Sequence, residues 1–237
     1  MCGIVGVFNY NNSEPVREDV LIKMRDTMVH RGPDGCGIWI SDDRCIGLAH
    51  RRLSIIDLSE SANQPMCNED ETIWIVFNGE IYNHMEIRPE LEERGHKFKT
   101  DHSDTEVIIH AFEEWGIDCI SRFRGMFAFA IWDSKKKILW LVRDRIGIKP
   151  LYYSIQDNKF IFASEIKAII KYPSIKREIN YKALYNYLSF LTTQPPDTLF
   201  KGINKLAAGK YLKIERTKIN EPEEYWDVFD NVEVLSN

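Results

Sequence analysis

The sequence predicts an α+β protein, a four-layer αββα sandwich in which two largely antiparallel sheets pack face to face between helices. Three observations carry this. The runs Thr-Ile-Trp-Ile-Val-Phe at 72–77 and Met-Phe-Ala-Phe-Ala-Ile-Trp at 126–132 are almost wholly apolar, as strands covered on both faces must be. Apolar segments flank short polar turns at 133–137 and 156–158, the pattern of hairpins and so of antiparallel pairing. Amphipathic stretches fall between the strands, so helices can cover the outer face of each sheet.

In chain order, strands are expected at 3–9, 37–41 and 45–50, then at the two apolar runs, then at 138–142, 151–154 and 159–163. A helix is expected at 16–28, where Val20, Leu21, Met24 and Met28 recur at helical spacing behind an acidic start. A second helix at 86–94 stops at Gly95, which suits a C-cap. Ser103 or Asp104 can cap a third at 105–115, with Val107, Ile108, Ala111 and Phe112 on one face and Gly116 closing it. A fourth at 180–191 is broken by Gln194-Pro195-Pro196-Asp197, and a short strand follows at 210–214.

Composition narrows the function classes. The chain has 237 residues, 44% hydrophobic and 28% charged, enough for one large domain with a substantial core. A formal net charge of −5 without a long basic run argues against nucleic acid or an anionic membrane as partner. No apolar stretch approaches the roughly 18 residues of a membrane span. An odd count of five cysteines, no Cys-x-x-Cys pair and no secretory leader point to a reducing cytoplasm. No Cys/His cluster has zinc-ligand spacing, so no metal site is expected.

Five motifs can carry chemistry. Cys2 follows an initiator methionine that is normally trimmed before so small a residue. Trimming would place a thiol and a free α-amine on one residue, with reference pKa values of about 8.5 and about 8. A small buried hydrophobe is the alternative. His30-Arg31-Gly32-Pro33-Asp34-Gly35 reads as a structural loop. Arg51-Arg52 ends a strand, where a guanidinium can clamp a carboxylate or pair with Asp57 or Glu60 on the surface. Asn78-Gly79 ends a strong apolar strand without an obvious hairpin partner. It offers a side-chain N–H and an approachable backbone N–H, as an oxyanion hole or a plain turn. Asp104 can cap a helix or hold an ammonium group.

These segments, with Gly125-Met126-Phe127-Ala128-Phe129, Arg143-Asp144-Arg145-Ile146-Gly147-Ile148-Lys149-Pro150 and Ala163-Ser164-Glu165, occur in one order over residues 1 to 170. That ordered set resembles the class II glutamine amidotransferase domain of the N-terminal-nucleophile hydrolase fold. It is most similar to the glutaminase half of glutamine-hydrolysing asparagine synthetases. The resemblance implies Cys2 as nucleophile and Asn78 and Gly79 as oxyanion donors. Arg52, with the Leu53, Ser54, Ile55 and Ile56 backbone, would bind the α-carboxylate of L-glutamine, and Glu80 and Asp104 its α-ammonium. Arg51 is the competing frame for the arginine.

In such synthetases ammonia passes to a C-terminal domain that activates aspartate with ATP and magnesium through a Ser-Gly-Gly-x-Asp-Ser loop. No Gly-Gly occurs in this sequence. The expectation is therefore a glutaminase domain at 1–214 and a connector at 215–237 toward a synthetase domain absent from this chain. No cofactor is expected for the glutaminase part, and a homodimer is possible. A glutaminase serving another amide-forming synthetase, and a non-catalytic glutamine-binding module, are the alternatives.

Overall fold

A computed structural model describes residues 1–11, 14–54 and 62–230. The elements follow the order β1 (Gly3–Asn9), α1 (Glu18–Asp26), β2 (Gly35–Ile40), β3 (Ile46–Arg52), β4 (Met66–Cys67) and β5 (Ile73–Ile81). Next come α2 (His84–Glu93), α3 (Asp104–Trp115), a 3-10 helix (Gly116–Arg122), β6 (Gly125–Asp133), β7 (Ile138–Arg143), β8 (Tyr152–Gln156) and β9 (Lys159–Ala163). The chain continues through α4 (Ile166–Ile170), α5 (Tyr181–Phe190), β10 (Asn204–Lys205), β11 (Lys210–Ile214) and β12 (Glu223–Glu224).

The strands form two six-stranded sheets, ordered β10-β8-β9-β1-β3-β2 and β12-β11-β7-β6-β5-β4. Every neighbouring pair among the described strands is antiparallel. Alternation along β1 shows how the layers arise. Ile4 and Phe8 join Leu48, Val76, Ala128, Ala130, Trp132 and Leu141 in the core between the sheets. Val5 and Val7 face the other way, into a core with Leu21 and Met24 of α1 and Ala168 and Ile169 of α4. On the far side, Ile75, Phe77, Phe127 and Phe129 pack beneath Ile87 of α2 and Val107, Ile108 and Ala111 of α3. The result is the four-layer αββα sandwich that the sequence predicts.

Several boundaries differ from expectation. The first helix is shorter, starting at Glu18, and the second begins earlier, at His84. The strand expected at 72–77 runs on to Ile81, so Asn78 and Gly79 are strand residues, paired with Ala128 and Phe127 of β6, and not a turn. β4, β10, β12 and α4 are too short to leave a periodic signature. Their pairing and packing come from the neighbours they meet. The expected connector from 215 onward supplies β12, which closes the edge of one sheet, and Tyr225, whose hydroxyl donates to Arg143 O at 2.9 Å.

Two placements bring distant segments together. Gly3 of β1 lies opposite Arg51 of β3, which puts residue 2 beside the chain leaving β3. Asp104 opens α3 and its Oδ2 accepts from Ile81 N at 3.0 Å, tying the start of that helix to the end of β5.

Candidate active site

Cys2 lines a cavity of about 160 Å³ together with His50, Arg52, Leu53, Ser54, Gln64, Asn78, Gly79, Glu80, Asp104 and Lys149. Leu53 N donates to Cys2 Sγ at 3.4 Å, and the thiol lies 3.7 Å from Leu53 O. Burial pushes the thiol pKa up, and the Leu53 backbone contact works against it. The residue is held through its own backbone as well. Arg31 Nε donates to Cys2 O at 2.8 Å, and Arg31 Nη1 reaches Glu165 Oε1 at 3.1 Å, which His30 also contacts at 2.9 Å. Ser164 Oγ accepts from Ile4 N at 3.0 Å. The His30–Gly35 segment is thus a structural loop, as its turn chemistry predicts, and its structural task is to fix the N-terminus. A Cβ on Gly32 would come within 2.3 Å of the Arg51 carbonyl carbon, so only glycine lets this loop lie against the end of β3.

Asn78 is the most informative side chain in the cavity. It is 1% exposed, and among the described residues neither its Nδ2 nor its Oδ1 has a hydrogen-bond partner. A buried orphan amide costs about 1–3 kcal/mol, and such groups are rare enough in folded proteins to point to a ligand. Gly79 follows it in β5, where a Cβ would lie 2.3 Å from Met126 O and 2.7 Å from Phe127 Cα.

The two arginines separate cleanly. Arg51 leaves the cavity and pairs with Asp26 Oδ1 at 2.6 Å. Arg52, on the opposite face of β3, lines the cavity and donates from Nη1 to Asn63 Oδ1 at 2.8 Å. Asp57 and Glu60, the alternative partners, lie outside the described residues, as do Ile55 and Ile56. Ser54 N donates to Asp34 Oδ2 at 2.9 Å, which anchors the chain just beyond Leu53.

Glu80 and Asp104 supply the carboxylates. Asp104 is not the N-cap of α3, which is Ser103, and no side-chain capping bond forms there. Burial lifts the Asp104 pKa to about 6, against the Ile81 N–H that favours the ionised form, with Glu80 adding to the rise. A cation placed beside it would restore the charge.

Three cavity residues have no counterpart among the sequence candidates. His50 shares a face of β3 with Arg52, a period-two relation that could have marked it. Its Nε2 meets Phe77 O at 3.1 Å. A carbonyl only accepts, so that nitrogen carries the proton. Burial, with Arg52 nearby, lowers the ring's pKa to about 4 and keeps it neutral. Gln64 accepts from Phe77 N at 2.6 Å and donates to Thr105 at 3.2 Å, bracing β5 against α3. Lys149 arrives by way of a folded loop. Asp144 accepts from Phe127 N, Ile148 N and Lys149 N at 3.2, 2.8 and 2.9 Å. Arg143 donates to Lys149 O and Gly147 O at 2.7 Å each. Burial, then the Arg31 charge, pulls the Lys149 pKa below the usual lysine range.

Comparison with known proteins identifies the family. The family model described as a glutamine amidotransferase domain matches residues 1–226. The chain belongs to the glutamine amidotransferase family. Among its relatives, asparagine synthetase [glutamine-hydrolyzing] 3 of Bacillus subtilis is 36% identical over 241 residues, covering 98% of this chain and 39% of that protein. Asparagine synthetase [glutamine-hydrolyzing] 1 of the same organism is 43% identical over 216 residues, covering 90% of this chain and 33% of that protein. The chain therefore spans between a third and two-fifths of the length of these relatives. Among solved structures, the glutamine phosphoribosylpyrophosphate amidotransferase of B. subtilis superposes with a TM-score of 0.67 at 18% identity, over 95% of this chain and 49% of that one. That likeness shows that the two share a fold. Among the described residues no helix is long and apolar enough to cross a membrane.

Proposed function

We propose that this amidotransferase domain hydrolyses L-glutamine to glutamate and ammonia through a γ-glutamyl thioester on Cys2. One observation carries the reading. A thiol held at 3.4 Å from a backbone N–H shares a cavity with a buried Asn78 amide that no described residue pairs. Loss of Met1 frees the α-amine of Cys2, and that amine takes the thiol proton. The thiolate attacks the side-chain amide carbon, and the resulting oxyanion accepts from Asn78 Nδ2 and Gly79 N. The protonated amine then gives its proton to the leaving ammonia, and water cleaves the thioester to glutamate, restoring the thiol. Arg52, with the chain after it including Ile55 and Ile56, takes the α-carboxylate. Glu80 and Asp104 take the α-ammonium, so free glutamine is selected over peptides.

The relatives' names extend the reading. Ammonia would feed ATP- and magnesium-dependent formation of asparagine from aspartate in a synthetase domain joined beyond a connector at 215–237, in a cytoplasmic protein that can dimerise. The test is glutamate release from glutamine by Met1-free protein and by Cys2→Ala. Full activity in Cys2→Ala would sink the nucleophile assignment. Calorimetric glutamine binding without turnover in the processed protein would make the domain a binding module.

A further inference from the structure

A second polar cluster lies on the outer side of α3, apart from the cavity. Glu106, His110 and Glu113 succeed one another at helical spacing along this helix. Glu69 joins them from the turn after β4, and His96 from the chain after α2. His110 is 1% exposed. Its Nδ1 is fixed by Glu113 Oε2 at 2.8 Å, and Asn68 Nδ2 holds the other Glu113 oxygen at 2.7 Å. Among the described residues its Nε2 has no hydrogen-bond partner, and it stands 3.8 Å from both Glu69 Oε1 and Glu106 Oε1. Glu106 is itself positioned by Lys99 N at 2.7 Å and Thr100 N at 2.8 Å.

We propose that this cluster binds a divalent transition-metal ion of the zinc class, with His110 Nε2, Glu69 and Glu106 as ligands. A separation of 3.8 Å is too long for a hydrogen bond. It is close to the spacing of two ligands on one ion, about 3.3–3.6 Å for bonds of 2.0–2.2 Å in a tetrahedral shell. A carboxylate on the far ring nitrogen is the usual means of orienting a metal-bound histidine, and Glu113 occupies that place. The donor set of imidazole and carboxylates suits zinc and its neighbours and disfavours soft copper(I). Glu69 lies at the exposed edge, which leaves room for water in the remaining position.

The ion would bind at Nε2 while Nδ1–H stays bonded to Glu113. The bound ion would join three segments, the turn after β4, the chain around Lys99 and α3.

The experiment is a titration of metal-stripped full chain with zinc chloride against a chromophoric chelator, repeated with Glu69→Gln and His110→Gln. The expected result is one saturable ion per chain, its affinity reduced at least tenfold in each variant. Cobalt(II) in the same site should show a visible spectrum without a thiolate charge-transfer band. Glu69 is half exposed, so its variant keeps the fold where His110→Gln fails to. Zinc affinity unchanged in Glu69→Gln, a thiolate band that marks cysteine as the ligand, or no saturable binding below millimolar zinc would each overturn the site. The last outcome would leave only a buried histidine among carboxylates. The readout is binding, so it is independent of glutamine turnover.

Discussion

At the residue scale, burying Asn78 and Asp104 carries a stability cost that the proposed function explains. Asn78 buries an amide that no described residue pairs, so Asn78→Ala should leave the thermal midpoint unchanged or raised while kcat for glutamine falls about 10²–10³-fold, the usual loss for one oxyanion donor. Steady-state kinetics alongside a melt checks both halves. Asp104 buries a carboxyl whose folded pKa, about 6, exceeds the ordinary aspartate value of 3.8. The folded chain therefore takes up this proton first. The penalty is absent below about pH 4 and grows as pH rises through about 6. Asp104→Asn should accordingly be more stable than the parent at pH 8, by an upper bound of roughly 3 kcal/mol, and no more stable at pH 4. In the parent, KM for glutamine should rise as pH falls through 6, because a protonated Asp104 no longer attracts the ammonium. A KM that is flat from pH 5 to 7 would contradict that role. The arginines give a paired test. Arg52→Ala should raise KM at least tenfold. Arg51→Ala removes a partly exposed pair with Asp26, about 1 kcal/mol or less, and should leave KM unchanged.

At the element scale, β5 and β6 approach so closely at residue 79 that they exclude any side chain. In Gly79→Ala the new Cβ would meet Met126 O at 2.3 Å. Relief requires the strands to part, at a cost of about 1–3 kcal/mol. Parting also moves Asn78, so stability and turnover should fall together, unlike the Asn78→Ala case where they diverge. Urea denaturation with parallel kinetics distinguishes them. The loop from Arg143 to Lys149 shows the reverse logic. A buried guanidinium and a buried carboxylate satisfy its backbone groups and so deliver Lys149 to the cavity. α3 carries Asp104 at its first residue and the His110 cluster two turns on, so one helix serves both sites.

At the scale of the whole molecule, the site exists only where the two sheets meet. Cys2 comes from β1's end, Arg52 from β3's, Asn78 and Gly79 from β5, Asp104 from α3 and Lys149 from the loop after β7. Retained Met1 puts the only α-amine one residue away from the thiol, so unprocessed chain should release glutamate at least tenfold more slowly than processed chain. Intact-mass spectrometry of both pools makes that comparison direct. On α5 the side chains of Tyr181, Tyr185, Leu188 and Phe190 are exposed, and only Ala183 is buried, so that helix gains little from this chain's own core. The sandwich was legible in the apolar runs at 72–77 and 126–132 because burial on both faces leaves a continuous signal along the chain. The candidate residues were legible because ordered motifs mark them. The choice between Arg51 and Arg52 needed the pairing of β3, since adjacent side chains on a strand face opposite ways. Gln64 and the meeting of Glu69, His96 and His110 were not legible, because these residues lie on separate segments and no spacing along the chain records where they meet. Local residue order thus determined the layers and singled out the candidate nucleophile. Tertiary structure decided which polar groups are buried together, because that depends on how the elements pack and not on their distance in sequence.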